Sequence, residues 1–194
     1  VAVQYPDTWV EVANLAIARI GKQPIASLTE GSTTSGYCNT YLGEVVAAVS
    51  ALTDWNALKK RAALARLVDV PAYGFSYMYQ LPNDFVRPVE VQADTDAEYS
   101  IEGTAVLTDA EEVYVTYIAN PLEPSSVPQY LIRLITASLA VRLTTPLVSS
   151  EAIVQRLASE YNDAVVVARR EDAARNRDVT MSQIRGYDWY EDNR

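Results

Sequence analysis

With 194 residues and 21.4 kDa, the chain is long enough to bury roughly 70% of its unfolded surface, so one substantial core is expected. Apolar residues make up 49% and charged residues 21%, and no uninterrupted apolar run reaches membrane-spanning length, which predicts a soluble body. The formal charge of −9 argues against a protein that grips DNA through its phosphates, and the absence of histidine removes the commonest general base and metal ligand.

The opening Val1-Ala2-Val3-Gln4-Tyr5-Pro6 lacks a basic leader followed by an apolar stretch, so no secretory signal is expected there. Cys38 is alone, which excludes an intrachain disulfide and leaves the role of a small buried hydrophobe. Charge is unevenly spread. Between Pro88 and Ile132 there is no Lys or Arg but nine acids: Glu90, Asp94, Asp96, Glu98, Glu102, Asp109, Glu111, Glu112 and Glu123. From Arg169 onward six Arg balance six acids, so residues 1–168 carry the whole −9.

In chain order, Thr8 and Glu11 form a capping box before the apolar run Val12, Leu15, Ala16, Ile17, Ile20, and Gly21 supplies the stop. Ile25 to Gly36 reads as a loop, with a second helix from near Asn39 carrying the stripe Tyr41, Leu42, Val45, Val46, Val49, Leu52 and ending around Thr53-Asp54. Trp55 to Leu67 fits helix by composition, but it follows a break directly, and both helix and strand stay open. Tyr73, Phe75, Tyr77 and Tyr79 alternate with smaller or polar residues, a strand signal whose aromatics belong to a sheet core. Further short strands are predicted at 86–91, 99–101, 104–107 and 113–118, with turns at Glu102-Gly103 and Asp109-Ala110.

The proline-rich 120–128 leads back to helix, with Ser126 as cap and Leu131, Leu134, Ile135 and Leu139 on one face until Thr144-Thr145-Pro146. Ser149 or Ser150 caps a last helix to Ala174, about 36 Å long, whose seam is Val154, Leu157, Tyr161, Ala164 and Ala168. Residues 176–194 form a polar tail that carries Ile184, Tyr187, Trp189 and Tyr190. The predicted fold class is α+β, mainly α: an antiparallel bundle of about four helices with a small antiparallel β insertion and an extended C-terminal tail. One globular domain is expected, assembled from 1–55, 56–120 and 121–175, with 176–194 as a docking tail.

Little in the chain suggests catalysis. There is no Gly-rich phosphate loop, no thiol with a base and no serine elbow. Asp54 and Asp84 are the pair one would test as acid and base for glycan cleavage, against the plainer roles of cap and turn residue. The order of landmarks says more: Tyr41, then Trp55-Asn56-Ala57 with Arg61 and Leu64, then Tyr79-Gln80-Leu81-Pro82-Asn83-Asp84-Phe85 with Arg87 and Val91. Tyr99-Ser100-Ile101-Glu102-Gly103, the strand to Tyr117-Ile118 and Leu139-Ala140 follow. This series resembles the head-to-tail adaptor family of tailed phages, which includes the tail tubular proteins A of short-tailed phages, from about Ala13 to Ala174. One departure is Ala57-Leu58 where relatives tend to carry Phe-Ala after the Trp.

The resemblance implies a structural virion protein, not an enzyme, and no cofactor, metal or membrane contact. It implies a homo-oligomeric ring, usually twelvefold, with the portal protein above and a tail or nozzle protein below, assembled in the host cytoplasm. Double-stranded DNA would pass through without specific binding, and the acidic excess agrees, since a like-charged lining does not hold a polyanion. In the family the C-terminal segment inserts into the portal, which assigns that role here to Ile184, Tyr187, Trp189 and Tyr190. Asp94, Asp96, Glu98, Glu102 and Asp109 become candidates to line the channel. The basic cluster Lys59, Lys60, Arg61 is expected to meet acids such as Glu111 and Glu112 of the next subunit. A non-viral helical interaction module and a tail-associated glycan hydrolase are the alternatives.

Overall fold

A computed structural model of the chain describes residues 5–93, 97–148 and 150–175. The chain divides into two compact units, one of Val1–Val45, Trp55–Ala57 and Glu123–Arg194, the other of Val46–Asp54 and Leu58–Leu122.

The first unit is helical. Helix α1 (Trp9–Arg19) opens with the expected capping box: Thr8 Oγ1 accepts the Glu11 N–H at 3.3 Å, and the Glu11 carboxylate accepts the Thr8 N–H at 3.2 Å. It closes at Gly21, whose φ of 70° lets Lys22 N–H reach back to the Ile17 carbonyl at 3.2 Å. Helix α2 (Thr33–Ala51), which belongs to this unit up to Val45 and to the other from Val46, starts earlier than Asn39. Ser32 Oγ accepts the Ser35 N–H at 3.1 Å, so the Ser/Thr run read as loop is the capped first turn of a helix. Cys38 is fully buried in it.

Helix α3 (Gln129–Leu147) is the centre of this unit, because α1 and α4 (Glu151–Arg175) both pack against it. It therefore buries residues all round, Leu131, Leu134, Ile135, Leu139 and Leu143 among them, rather than along one stripe. Thr136, buried within it, donates to the Ile132 carbonyl of the same helix and leaves no hydroxyl unpaired. The helix runs through Thr144-Thr145-Pro146, since a proline in the last turn forfeits only one backbone bond. Its start is also different: Pro128 precedes the first turn, and the Ser126 hydroxyl donates to the Glu123 carbonyl instead of capping. Along α4 only Leu157, Ala168 and Asp172 are buried; Tyr161 and Ala164 are half-buried and Val154 is exposed, so the predicted seam forms in part.

The expectation of a helical bundle with a small β insertion is overturned by the second unit. Among the described residues seven strands form there, in two antiparallel sheets with a core of their own. Strands β1 (Lys59–Ala63), β7 (Val113–Ala119) and β4 (Phe85–Ala93) make one sheet, with β7 in the middle; β2 (Ala65–Arg66), β3 (Tyr77–Gln80), β6 (Ala105–Thr108) and β5 (Tyr99–Glu102) make the other. The stretch 55–67, open between helix and strand, becomes a 3-10 turn (Asn56–Leu58) followed by β1 and β2. Its Ala, Leu, Lys and Arg content favours helix locally, but pairing with β7 and β3 decides the outcome.

The β core joins Leu64, Leu81, Val106, Val113, Val115 and Tyr117 around Tyr79. Of the predicted aromatic strand only Tyr77 and Tyr79 lie in β3. Gly74 turns the chain at φ 90°, and Tyr73 stands in solvent. Gly103, at φ 58°, makes the tight β5–β6 hairpin, where Glu102 faces Ala105 across two residues. The Tyr79 hydroxyl is directed at the carbonyls of Ala110 and Glu111, both at 2.7 Å, and holds the β6–β7 turn against the core. Tyr79→Phe leaves those carbonyls short of a donor, and is expected to lower unfolding stability by about 1–2 kcal/mol with the urea m-value unchanged.

Candidate functional site

Two clusters of polar groups stand out, one in each unit. In the helical unit, Asp172 on α4 is a carboxylate with 4% of its surface exposed. It lies one turn beyond Ala168 on the same helical face, and it meets the start of the 3-10 turn. Its Oδ2 accepts the Asn56 N–H at 2.7 Å; its Oδ1 accepts the Ala57 N–H at 3.2 Å and the Tyr130 hydroxyl at 2.7 Å. The Asn56 amide donates to the Asp172 carbonyl at 3.2 Å, and Arg175 Nη1 donates to the Tyr130 oxygen at 3.3 Å. The carboxylate thus caps the free backbone N–H groups of a turn, which favour negative charge. Burial, together with the bond to and charge of Asp172, pushes the Tyr130 phenol up to about 12 against the opposing pull of Arg175. Trp55, the preceding residue, is fully buried.

In the β unit, Asp84 of the Leu-Pro-Asn-Asp block accepts from Lys60 Nζ at 2.6 Å and from the Tyr117 hydroxyl at 2.9 Å. Its backbone carbonyl takes the Asn120 N–H at 2.7 Å. Lys60 and Tyr117 are cross-strand partners, so all three groups meet on one face of the sheet. Burial works against ionisation of Asp84, but the bonds from Lys60 and Tyr117 and the Lys60 charge outweigh it and hold the carboxyl below its ordinary range. Burial and the facing carboxylate push Tyr117 up to about 12. Asp54 pairs with Arg87 at 2.6 Å. The acid and base suggested for Asp54 and Asp84 are therefore each engaged by a cation of their own, and a depressed pKa is the wrong direction for a general acid.

The basic trio does not act as one patch. Strand alternation sends Lys60 to the face of Tyr117 and Asp84, whereas Lys59 and Arg61 share the opposite face with Thr116 and Glu90. Among the channel candidates, Glu98, Glu102 and Asp109 are exposed, but the β5–β6 register puts Glu98 beside Asp109 and Glu102 roughly 13 Å away at the hairpin turn. Asp109 also accepts the Ser76 N–H at 2.8 Å, and Glu112 accepts the Tyr114 hydroxyl at 2.8 Å; Glu111 is exposed beside it. Asp94, Asp96, Ile184, Tyr187, Trp189 and Tyr190 lie outside the described residues.

Asp172 was the residue that sequence reasoning missed: in the run Arg169-Arg170-Glu171-Asp172 it reads as part of a solvated face. The available signal was its spacing of four from the seam residue Ala168. Among the described residues no cluster of His, Cys, Asp or Glu is arranged to hold a metal ion, and no helix is long and apolar enough to cross a membrane.

Comparison with protein-family models and with curated protein sequences finds no match to this chain.

All the groups facing the Asp172 carboxylate are donors, so an amide there turns its NH2 toward another donor. Asp172→Asn is expected to cost about 2–4 kcal/mol of unfolding stability, well above Glu171→Gln next to it, in parallel urea titrations. The pH profile has two limbs. The folded-state pKa of Asp84 lies below the ordinary 3.8, so its contribution is complete above that value and is lost as pH falls through the folded value. The contribution of Tyr117 is complete below 10.0 and is lost as pH rises from there to about 12. Asp84→Asn should make the acid limb shallower and Tyr117→Phe the alkaline one, which Tyr130 shares and which only the double variant with Tyr130→Phe should flatten, read as unfolding midpoints between about pH 2 and pH 12.

Proposed function

We propose that the chain is a structural ring subunit of a virus particle, the adaptor between portal and tail, and not an enzyme. The observation that carries this reading is the use made of the landmark series. Trp55 is a buried core residue; Tyr79 pins a turn; Asp84 and Arg87 are held in ion pairs; Gly103 makes a hairpin. Every one of these residues serves packing or hydrogen bonding, as a scaffold requires.

The charge pattern supports the same reading. Glu90, Glu98, Glu102, Asp109, Glu111 and Glu112 are all exposed on the β unit, and the ion pairs among the described residues use none of them. A subunit that lines a DNA passage benefits from such uncompensated acids, because a polyanion finds nothing to release counterions against. The portal itself would be engaged by residues 176–194, whose Ile184, Tyr187, Trp189 and Tyr190 are the kind of anchors that dominate interfaces. Nineteen extended residues span up to about 65 Å, enough to leave one subunit and reach another protein.

The test compares the full chain with one ending at Arg175, which keeps the Arg175–Tyr130 bond. Sedimentation alone and with the cognate portal should give a portal-bound ring for the full chain only, with the shortened chain melting at nearly the same temperature. A monomer that ignores the portal in both forms removes the adaptor reading, and a shortened chain that still binds removes the tail from it.

A further inference from the structure

The loop between β2 and β3, residues 67–76, is apolar and exposed. Val68 is 99%, Val70 66% and Tyr73 90% exposed, within six residues. Solvated apolar side chains scattered singly are ordinary, but three on one short loop are not. The loop is also firmly rooted. Leu67 N–H donates to the Met78 carbonyl at 2.8 Å, Ser76 N–H donates to Asp109 at 2.8 Å, and Arg66 stacks over the Tyr77 ring at 3.6 Å beneath it. Rooting lowers the entropy lost when such a loop binds.

The helical unit carries a groove of about 420 Å³ between the segment Tyr5-Pro6 and the start of α3, lined by Tyr5, Pro6, Val127, Pro128 and Ile132. Asp7, Ser125 and Gln129 line it as well. A groove whose floor is largely Pro, Val and Ile suits a protruding apolar loop.

We infer that the 67–76 loop of one copy of this chain seats in the Tyr5–Ile132 groove of the next copy. This rests on the ring reading, which requires two different surfaces per subunit, a front patch and a back patch. The occupant is a second copy for two reasons. Copies with a charge of −9 repel one another, which favours a contact that draws on apolar burial, and one chain carries both a protruding apolar loop and a groove with Pro, Val and Ile in its lining. A Tyr and two Val cover on the order of 400 Å², about half of what a partner contributes to a standard interface. One such contact is too small for a stable pair in dilute solution, but ring closure gives every subunit two.

The experiment places thiols at the exposed Ala72→Cys in the loop and Ser125→Cys at the groove rim, with the buried Cys38 left as it is and the unsubstituted chain as control. Rings assembled on the cognate portal are treated with a short bis-maleimide and separated under denaturing conditions. The expected result is a ladder of linked chains for the double variant and a linked dimer when the two single variants are mixed, with each single variant alone staying monomeric. Val68→Asp with Tyr73→Asp should abolish rings while leaving the helical circular dichroism unchanged, and added salt should strengthen association rather than weaken it. Rings that form without the ladder, Ala72→Cys linking to itself, or a bridge confined within one chain would each overturn this contact while leaving the ring reading standing. If no ring is found by electron microscopy even for the unsubstituted chain, the ring reading fails and takes the contact with it.

Discussion

The helical unit depends on one buried charge. A carboxylate removed from water carries a penalty of several kcal/mol unless donors surround it, and Asp172 meets two backbone N–H groups and a phenol. Those donors belong to parts of the chain far apart in sequence, the turn at Asn56-Ala57 and the first turn of α3 at Tyr130. The last helix buries only Leu157 and Ala168 besides Asp172, too little apolar surface to fix its far end by packing. Polar anchoring supplies what packing does not, and it does so within a turn of Arg175, the last residue of α4. On the proposed reading, in which residues 176–194 grip another protein, such a segment transmits force only if its root is held, and Asp172 would hold it.

Asp84 is the counterpart in the β unit, solved with other chemistry. Here the charge is half-shielded, and a flexible lysine and a tyrosine meet it from adjacent strands. The Leu-Pro-Asn-Asp block then explains itself: Leu81 fills the core, Pro82 ends β3, and Asp84 locks the entry to β4 through both its side chain and its carbonyl. A motif of this kind can look catalytic in a sequence because it concentrates polar residues at a turn. Its hydrogen bonds are all spent on the fold.

What could be read from the chain follows the range of the forces involved. The capping box at Thr8 and Glu11, the burial of Cys38 and the hairpin at Gly103 are local, and each is present as expected. The strands from Val86 to Ile118 were legible because short runs rich in β-branched and aromatic residues are bounded there by turn residues, even though β6 is buried throughout. Residues 59–66 were not, since their helical composition yields to pairing with partners on β7 more than 50 residues onward and on β3 13 to 15 residues onward. For the same reason the β part was undervalued: the two short strands recruited there turn an insertion into two sheets with their own core. The face of α3 was misjudged because a helix packed on more than one side has no polar stripe to reveal its orientation. Of the candidate sites, Lys60 and Asp84 were named but not paired, and Asp172 was overlooked among neighbouring charges.

On the proposed reading, the acidic surface would constrain assembly as much as it would suit a passage for DNA. Exposed carboxylates without cations repel within a subunit and repel again between subunits, and that repulsion grows as more copies are gathered around one axis. Ion pairs between neighbours offer little against it, because exposed pairs contribute only about 0–1 kcal/mol each and one of the three clustered bases is already held by Asp84. Burial of apolar side chains is insensitive to this charge and is strengthened by the salt that screens it. On the proposed reading an acidic ring has to be fastened by apolar contacts, and a chain that exposes Val68, Val70 and Tyr73 on a rooted loop carries the means to do so.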